Sequence, residues 1–369
     1  MTERTVLLID TKPIFGGGQR MLRTLTSSLS PHRCVIIRPV NAPEKNEFYG
    51  AELVKRIPVP NWPSNLSRPW PMLQSLPGAM TAALALRGII AKERPSSVIV
   101  NDLYAAIPLQ LAYLLGPKPP WWLWVHACDF PQNTATRRLV TGSQGAICVS
   151  EAVRRSLTAW TDLPQVVIRN AIETRTLSVP DRAWRCAAGL NEHWVVAFCG
   201  RLDANKNLAG LLRAWAMIRL QLEASGPASL VCIGDGPDLT SLKNLAHALG
   251  LDDCVHWLGW HEHPSSIFGA CDALVLPSHL EAMGLVILEA QLLGLPVLGT
   301  AVGGIPELVA DGHSGLLAQS PSPEHLAEGL LRLRLGAMES LVQEGRRSAQ
   351  RLADPAVFTA AVRQLLGLA

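Results

Sequence analysis

The chain holds eight cysteines, yet it has no Cys-x-x-Cys pair and no close cluster of cysteine with histidine. That scatter argues against a zinc site and against a disulfide framework, and it fits a reducing compartment. Long apolar runs are also missing. The longest, LYAAIPLQLAYLLG from Leu103 to Gly116, is interrupted by Pro108 and Gln110 and is too short to cross a bilayer. The amino-terminal MTERTVLLIDTK places Glu3 before its short apolar run, so it reads as a first strand and not as a signal peptide. Two nucleotide signatures fail on spacing. A Gly-x-Gly-x-x-Gly turn would need a glycine where Met21 follows Gly16 and Gly18, or where Leu239 follows Gly234 and Gly236, which disfavours nicotinamide or flavin binding. No Gly-Lys-Ser/Thr follows any of these turns, so there is no P-loop, and no Asp-x-Asp pair offers a metal site. Internal repeats and low-complexity tracts are absent as well.

What is present is a large core. Hydrophobic residues make up 48% of the 369 and charged residues 17%, which excludes global disorder and allows two domains. Up to Arg175 there are 20 Lys and Arg against 11 Asp and Glu, leaving 13 against 19, so the halves stand near +9 and −6. A basic half can face an anionic membrane surface or a lipid-diphosphate acceptor, beside the plainer reading of a solvated face. The protein is expected to be soluble and cytoplasmic, with the inner membrane face as a further location.

Buried-strand runs alternate with helical stretches. TVLLID, CVIIRPV, SVIVND, WWLWVHA, GAICVS and QVVIRNAI make a first set, with a helix over Arg20–Leu29 and another around Met80–Lys92; Ser150 is a helix N-cap. WVVAFCG, ASLVCIG, CVHWLG, CDALVLPS and LPVLGT make a second set. Continuous apolar strands between helices predict an α/β fold of two doubly wound, Rossmann-like parallel-sheet domains facing a central cleft. The expected boundaries are 1–172, a linker over 173–193, 194–350, and a terminal helix over 351–369 returning to the first domain. The segment from Arg56 to Gly78, with six prolines and two tryptophans, reads as a long irregular loop.

Ligands of such sheets sit at the carboxyl ends of strands, against helix N-termini. Glycine turns lie at several such places: GGGQ over Gly16–Gln19, GDGPD from Gly234, and GTAVGGIPE around Thr300. In FCGRLDANKNL a strand end brings Arg201 and Lys206 to one loop, where a diphosphate would gain from both cations, although two loop cations are also common on plain surfaces. The stretch SHLEAMGLVILEA sets Glu281 and Glu289 around a glycine-centred helix start.

Taken together, GRLDANKN, IGDGP, LPSHLEAMGLVILEA, GTAVGGIPELV and DGHSGLL, with the glycine loop, WVHACD, CVSEAVRRSL and VIRNAI of the first half, resemble the retaining glycosyltransferases of family 4, which have the GT-B fold. The resemblance runs over essentially the whole chain. It implies that Glu281 meets the donor sugar and Glu289 the ribose, and that the amides of Met283, Gly284 and Leu285 face phosphate and sugar oxygens. It implies that Arg201 and Lys206 hold the diphosphate, that Gly16 and Gly17 close the first domain's backbone over it, and that Gln19 lies near the acceptor. His126 is then near the reaction centre, a role an isolated histidine would not carry. Ala282 and Met283, with Ala171 and Glu173, depart from the family's usual residues and leave the donor sugar open. The implied reaction is metal-free transfer, without a cofactor, from a nucleoside diphosphate sugar to a glycan or lipid-linked acceptor, with uracil favoured over GDP-mannose and no nucleic acid partner. A small natural-product acceptor or a sugar-nucleotide epimerase of the same fold is the alternative, and the intact Arg201, Lys206, Glu281 and Glu289 argue against an inactive homologue.

Overall fold

A computed structural model describes residues 3–11, 17–42, 54–59, 76–114, 116–129 and 134–368. The chain forms two compact units, one of Met1–Ala171 with Pro355–Ala369, the other of Ile172–Asp354. Residues 173–193, expected as a linker, fall within the second unit, where Arg182–Ala187 is a short helix capped by Asp181. The expected terminal helix over 351–369 is instead two pieces: Leu352 ends a helix begun at Glu339, and a separate helix over Pro355–Leu365 belongs to the first unit. Asp354 and Pro355 divide them because proline cannot extend the preceding ladder.

The first unit is a seven-stranded sheet: β1 (Thr5–Ile9), β2 (Arg33–Pro39), β3 (Val54–Ile57), β4 (Ser97–Val100), β5 (Trp121–Val125), β6 (Gly145–Cys148) and β7 (Gln165–Val167). Their order is β3-β2-β1-β4-β5-β6-β7, and every pairing is parallel. Nearly every residue of β1, β2, β4 and β6 is buried, as strands covered on both faces must be. Two local expectations differ. Arg56 and Ile57 belong to β3, and Leu76–Gly78 open the helix that runs on to Glu93, so only residues 60–75 of the proline-rich segment lie outside the described residues, Trp62 and Trp70 among them. The helix after β1 begins at Gly17 and not at Arg20; Gly16 lies outside the described residues, as does the side chain of Gln19.

The second unit is a six-stranded sheet: β8 (Trp194–Cys199), β9 (Ala228–Ile233), β10 (Val255–Gly259), β11 (Ala273–Leu276), β12 (Val297–Thr300) and β13 (Leu316–Ala318). The order is β10-β9-β8-β11-β12-β13, again parallel throughout. Its core gathers Phe198, Trp215, Leu230 and Leu330 between the sheet and the helices Leu208–Glu223 and Pro323–Leu335. Strand order reverses between β1 and β4 in one unit and between β8 and β11 in the other. Those two reversals, at the carboxyl edges, are where an open parallel sheet leaves room for a ligand.

Candidate functional site

In the second unit the chain leaves β8 at Gly200 and makes a 3-10 turn over Ala204–Lys206, capped by the Asp203 carboxylate, which accepts from the Lys206 amide at 3.3 Å. Across the reversal the chain leaves β11 through Pro277 and Ser278 to Glu281. The Lys206 Nζ donates to Glu281 Oε2 at 2.5 Å, and Ser278 Oγ lies 3.3 Å from the same oxygen. Both side chains are partly covered, with 23% and 13% exposure, so the pair is less screened by solvent than a surface pair. An ammonium has three hydrogens and a carboxylate two oxygens, which gives the pair donors and acceptors beyond the bond they share.

The helix that follows runs from Leu285 to Leu292, with Gly284 as its N-cap and Met283 buried beneath. The first amides of a helix have no carbonyl within it, and they present partial positive charge. Glu289 lies on the second turn and is 6% exposed. The loop after β12 packs against this entrance. Gly303 has φ +54°, and a Cβ there would lie 1.9 Å from the Glu281 carbonyl oxygen, so only glycine fits; the Gly304 amide donates to that carbonyl at 2.9 Å. On the other side, Gly234 at φ +139° passes so close to Gly200 that a Cβ would meet its oxygen at 1.9 Å.

Of the residues read from the sequence, Lys206 and Glu281 are therefore joined, and Met283, Gly284 and Leu285 stand at the helix entrance beside them. Arg201 is on the same loop, but its guanidinium is turned to Asp203, with Nε 3.3 Å from Oδ2, and it is 57% exposed. Sequence reasoning overlooked Ser278 and Asn207. Asn207 carried a signal, an Asn directly before an apolar helical run, which is an N-cap pattern.

In the first unit the ends of β1, β4 and β5 converge. His126 Nε2 and Asn101 Oδ1 are 2.9 Å apart, and Gly18 on the first helix faces both residues, its Cβ direction 3.7 Å from the imidazole. Asp102 accepts from the Thr11 amide and hydroxyl, each at 3.0 Å, and from the Ala105 amide at 3.0 Å. Asp10, fully buried, pairs with the equally buried Arg38 at the end of β2. The Tyr104 phenol is raised above its ordinary value by burial and then by the Asp102 carboxylate. The Trp124 ring lies tilted against His126, with centroids 4.8 Å apart, and stacks on Phe358 at 6.1 Å. Asn101, Asp102 and Arg38 were not singled out from the sequence, since their partners lie 25 to 91 positions away. Among the described residues, no three His, Cys, Asp or Glu side chains are grouped to hold a metal, and no helix is long and apolar enough to cross a membrane.

Comparison with known proteins agrees on both halves. Residues 15–176 match the family model described as Glycosyltransferase Family 4, and residues 182–347 match that described as Glycosyl transferases group 1. The chain is 37% identical over 147 residues to the D-inositol 3-phosphate glycosyltransferase of Corynebacterium jeikeium, a stretch that is 38% of this chain and 35% of that protein. It is 32% identical over 128 residues to the N-acetyl-alpha-D-glucosaminyl L-malate synthase of Bacillus anthracis, covering 35% and 32% of the two chains. These matches thus span about a third of each curated relative's length. The crystal structure of Anabaena HepE in complex with UDP and glucose aligns with a TM-score of 0.83 over 99% of this chain and 100% of that one, at 19% identity, a likeness of fold.

Proposed function

The chain belongs to the family 4 glycosyltransferases of GT-B fold, and on that premise we propose that it moves a sugar from a UDP-sugar to a hydroxyl acceptor with retention of anomeric configuration. The observation that carries this reading is the Lys206–Glu281 pair at the strand-order reversal of the second sheet, beside the entrance of the Leu285–Leu292 helix. A diphosphate there meets the ammonium and the helix amides together, and charge that develops on the leaving phosphate is stabilised by both. Arg201, 57% exposed on the same loop, adds a second cation. Glu281 accepts from sugar hydroxyls, and Glu289 from the ribose.

In the proposed step the bond from the anomeric carbon to the phosphate oxygen breaks and the bond to the acceptor oxygen forms on the same face. The acceptor's proton passes to the departing phosphate. No side chain need act as a general base, and His126, held by Asn101 within the first unit, keeps the role that the family resemblance gives it. The uracil reading is supported by the UDP and UDP-glucose complexes of HepE. The basic first half supports a lipid-linked or surface-polysaccharide acceptor at the inner membrane face.

Calorimetric titration with UDP, GDP and NAD in EDTA tests the proposal. Tight UDP binding, weakened in Arg201→Ala and Lys206→Ala, with turnover of the Arg201→Ala enzyme cut about 100-fold or more, is the expected result. Binding of NAD alone, or activity that EDTA abolishes and Mg²⁺ or Mn²⁺ restores, would overturn it.

A further inference from the structure

Lys206 and Glu281 stand on different loops, 75 positions apart, and something must fix the distance between those loops. The side chain of Asn207 is built to do so. Its backbone is left-handed, with φ 52° and ψ 35°, and the residue is only 7% exposed. Its Oδ1 accepts from the Gly210 amide at 3.2 Å, the N-cap bond of the helix Leu208–Glu223. Its Nδ2 carries two hydrogens and spends both on other loops: on the Pro277 carbonyl after β11, at 3.0 Å, and on the Pro321 carbonyl beyond β13, at 2.8 Å.

A second tie lies next to the first, since the His279 amide donates to the Asn205 carbonyl at 2.7 Å. Lys206 therefore sits between two anchored positions, Asn205 and Asn207, and faces a stretch anchored at Pro277 and His279. Ser278, between those two, gives its carbonyl to Thr300 Oγ1 at 2.7 Å while its hydroxyl approaches Glu281. The cap is close: a Cβ at Gly210 would lie 2.5 Å from Asn207 Oδ1, so glycine is what leaves room for the amide group there.

We infer that Asn207 is a positioning residue, which sets Lys206 against Glu281 and thereby fixes the diphosphate-binding geometry of the second unit. The inference rests on the nucleotide-sugar reading above, and it assigns Asn207 no contact with the substrate. An ordinary N-cap would need only an acceptor, and aspartate supplies one as well as asparagine does. The two donated bonds are the part that a cap does not need.

The test is a double-mutant cycle read as UDP affinity, with each protein's melting temperature recorded. Asn207→Gly keeps the left-handed backbone and removes all three side-chain bonds, and it is uncharged. Asn207→Asp keeps the cap acceptor and turns its other carboxylate oxygen toward the Pro277 and Pro321 carbonyls. Both are expected to weaken UDP about tenfold in the otherwise unchanged protein. Asn207→Gly is expected to have almost no further effect in the Lys206→Ala background, because the residue acts through Lys206. Equal losses in both backgrounds would make Asn207 merely structural, and wild-type affinity in Asn207→Asp would leave it a helix cap; either overturns the inference while the functional reading stands. Failure of the unaltered protein to bind UDP would overturn the functional reading and this inference together.

Discussion

The two units solve one architectural problem differently. Each is a parallel sheet with a reversal of strand order, and each must brace the loops that flank that reversal. Apart from the Asn207 side chain, the second unit does it with backbone. Gly304 bonds the Glu281 carbonyl, Leu202 bonds the Asp235 carbonyl, and Gly303 and Gly234 allow main chains to touch. The first unit does it with buried side chains, Asp10 with Arg38 and Asp102 with Thr11. Backbone bracing leaves Lys206 and Glu281 partly exposed for a ligand, whereas side-chain bracing consumes its charges internally.

Because of that difference, the units break under different substitutions. The largest effect is expected from Gly303→Ala, which strains a left-handed residue and drives a methyl into the Glu281 carbonyl. It should cost about 3 kcal/mol or more in the second unit and move Glu281 with it, so UDP binding falls as well. Asp10→Asn leaves the buried Arg38 guanidinium without its counter-charge, and about 3 kcal/mol should go from the first unit. Hydrogen exchange resolved by segment during urea unfolding separates the two. The comparison fails if either substitution loosens both units equally, or if Asp10→Asn weakens UDP as much as Gly303→Ala does.

The same contrast decides what could be read from the amino-acid sequence. Strand runs such as CDALVLPS and SVIVND were legible because strands buried on both faces must be continuously apolar. The loops that bring Lys206 and Glu281 together were legible because backbone bracing needs glycines at fixed short spacing, and GDGP and GTAVGG display them. The first unit's Asn101–His126 and Asp10–Arg38 pairs carry no local signal; an isolated Arg38 in CVIIRPV looks like a strand-end cation until the fold brings Asp10 to it. Strands β3 and β13, only four and three residues long, were missed for a related reason. Edge strands that short contain too few residues to show a period. Asn207 is intermediate: its cap role was visible, but the carbonyls of Pro277 and Pro321 were not.

Acid should separate the units more gently. On the second sheet, Ser229 on β9 is fully buried, with His193 Nδ1 at 2.8 Å and His256 Nε2 at 3.4 Å from its hydroxyl oxygen. One hydroxyl can donate to one ring and accept from the other, an arrangement that suits a neutral His256 ring. Burial, and then the neighbouring His193, hold the His256 imidazole below the ordinary histidine value. The unfolded chain then binds a proton that the folded unit resists, so stability is present above pH 6.5 and is lost as pH falls below it, through the lower value of the folded unit. In the first unit, Glu93 is held below the ordinary carboxylate value by its hydrogen bond to Lys55, despite burial that acts the other way, and by the nearby cations Arg33 and Lys92. Its contribution is present above pH 4.5 and is lost only below it. Exchange protection measured from pH 7.5 to 4 should therefore weaken first around β9 and β10 and later around β2 and β3. In His256→Gln, which cannot take up a proton, the early loss should disappear while the later one stays; an unchanged early loss would mean that another group in the second unit takes up the proton.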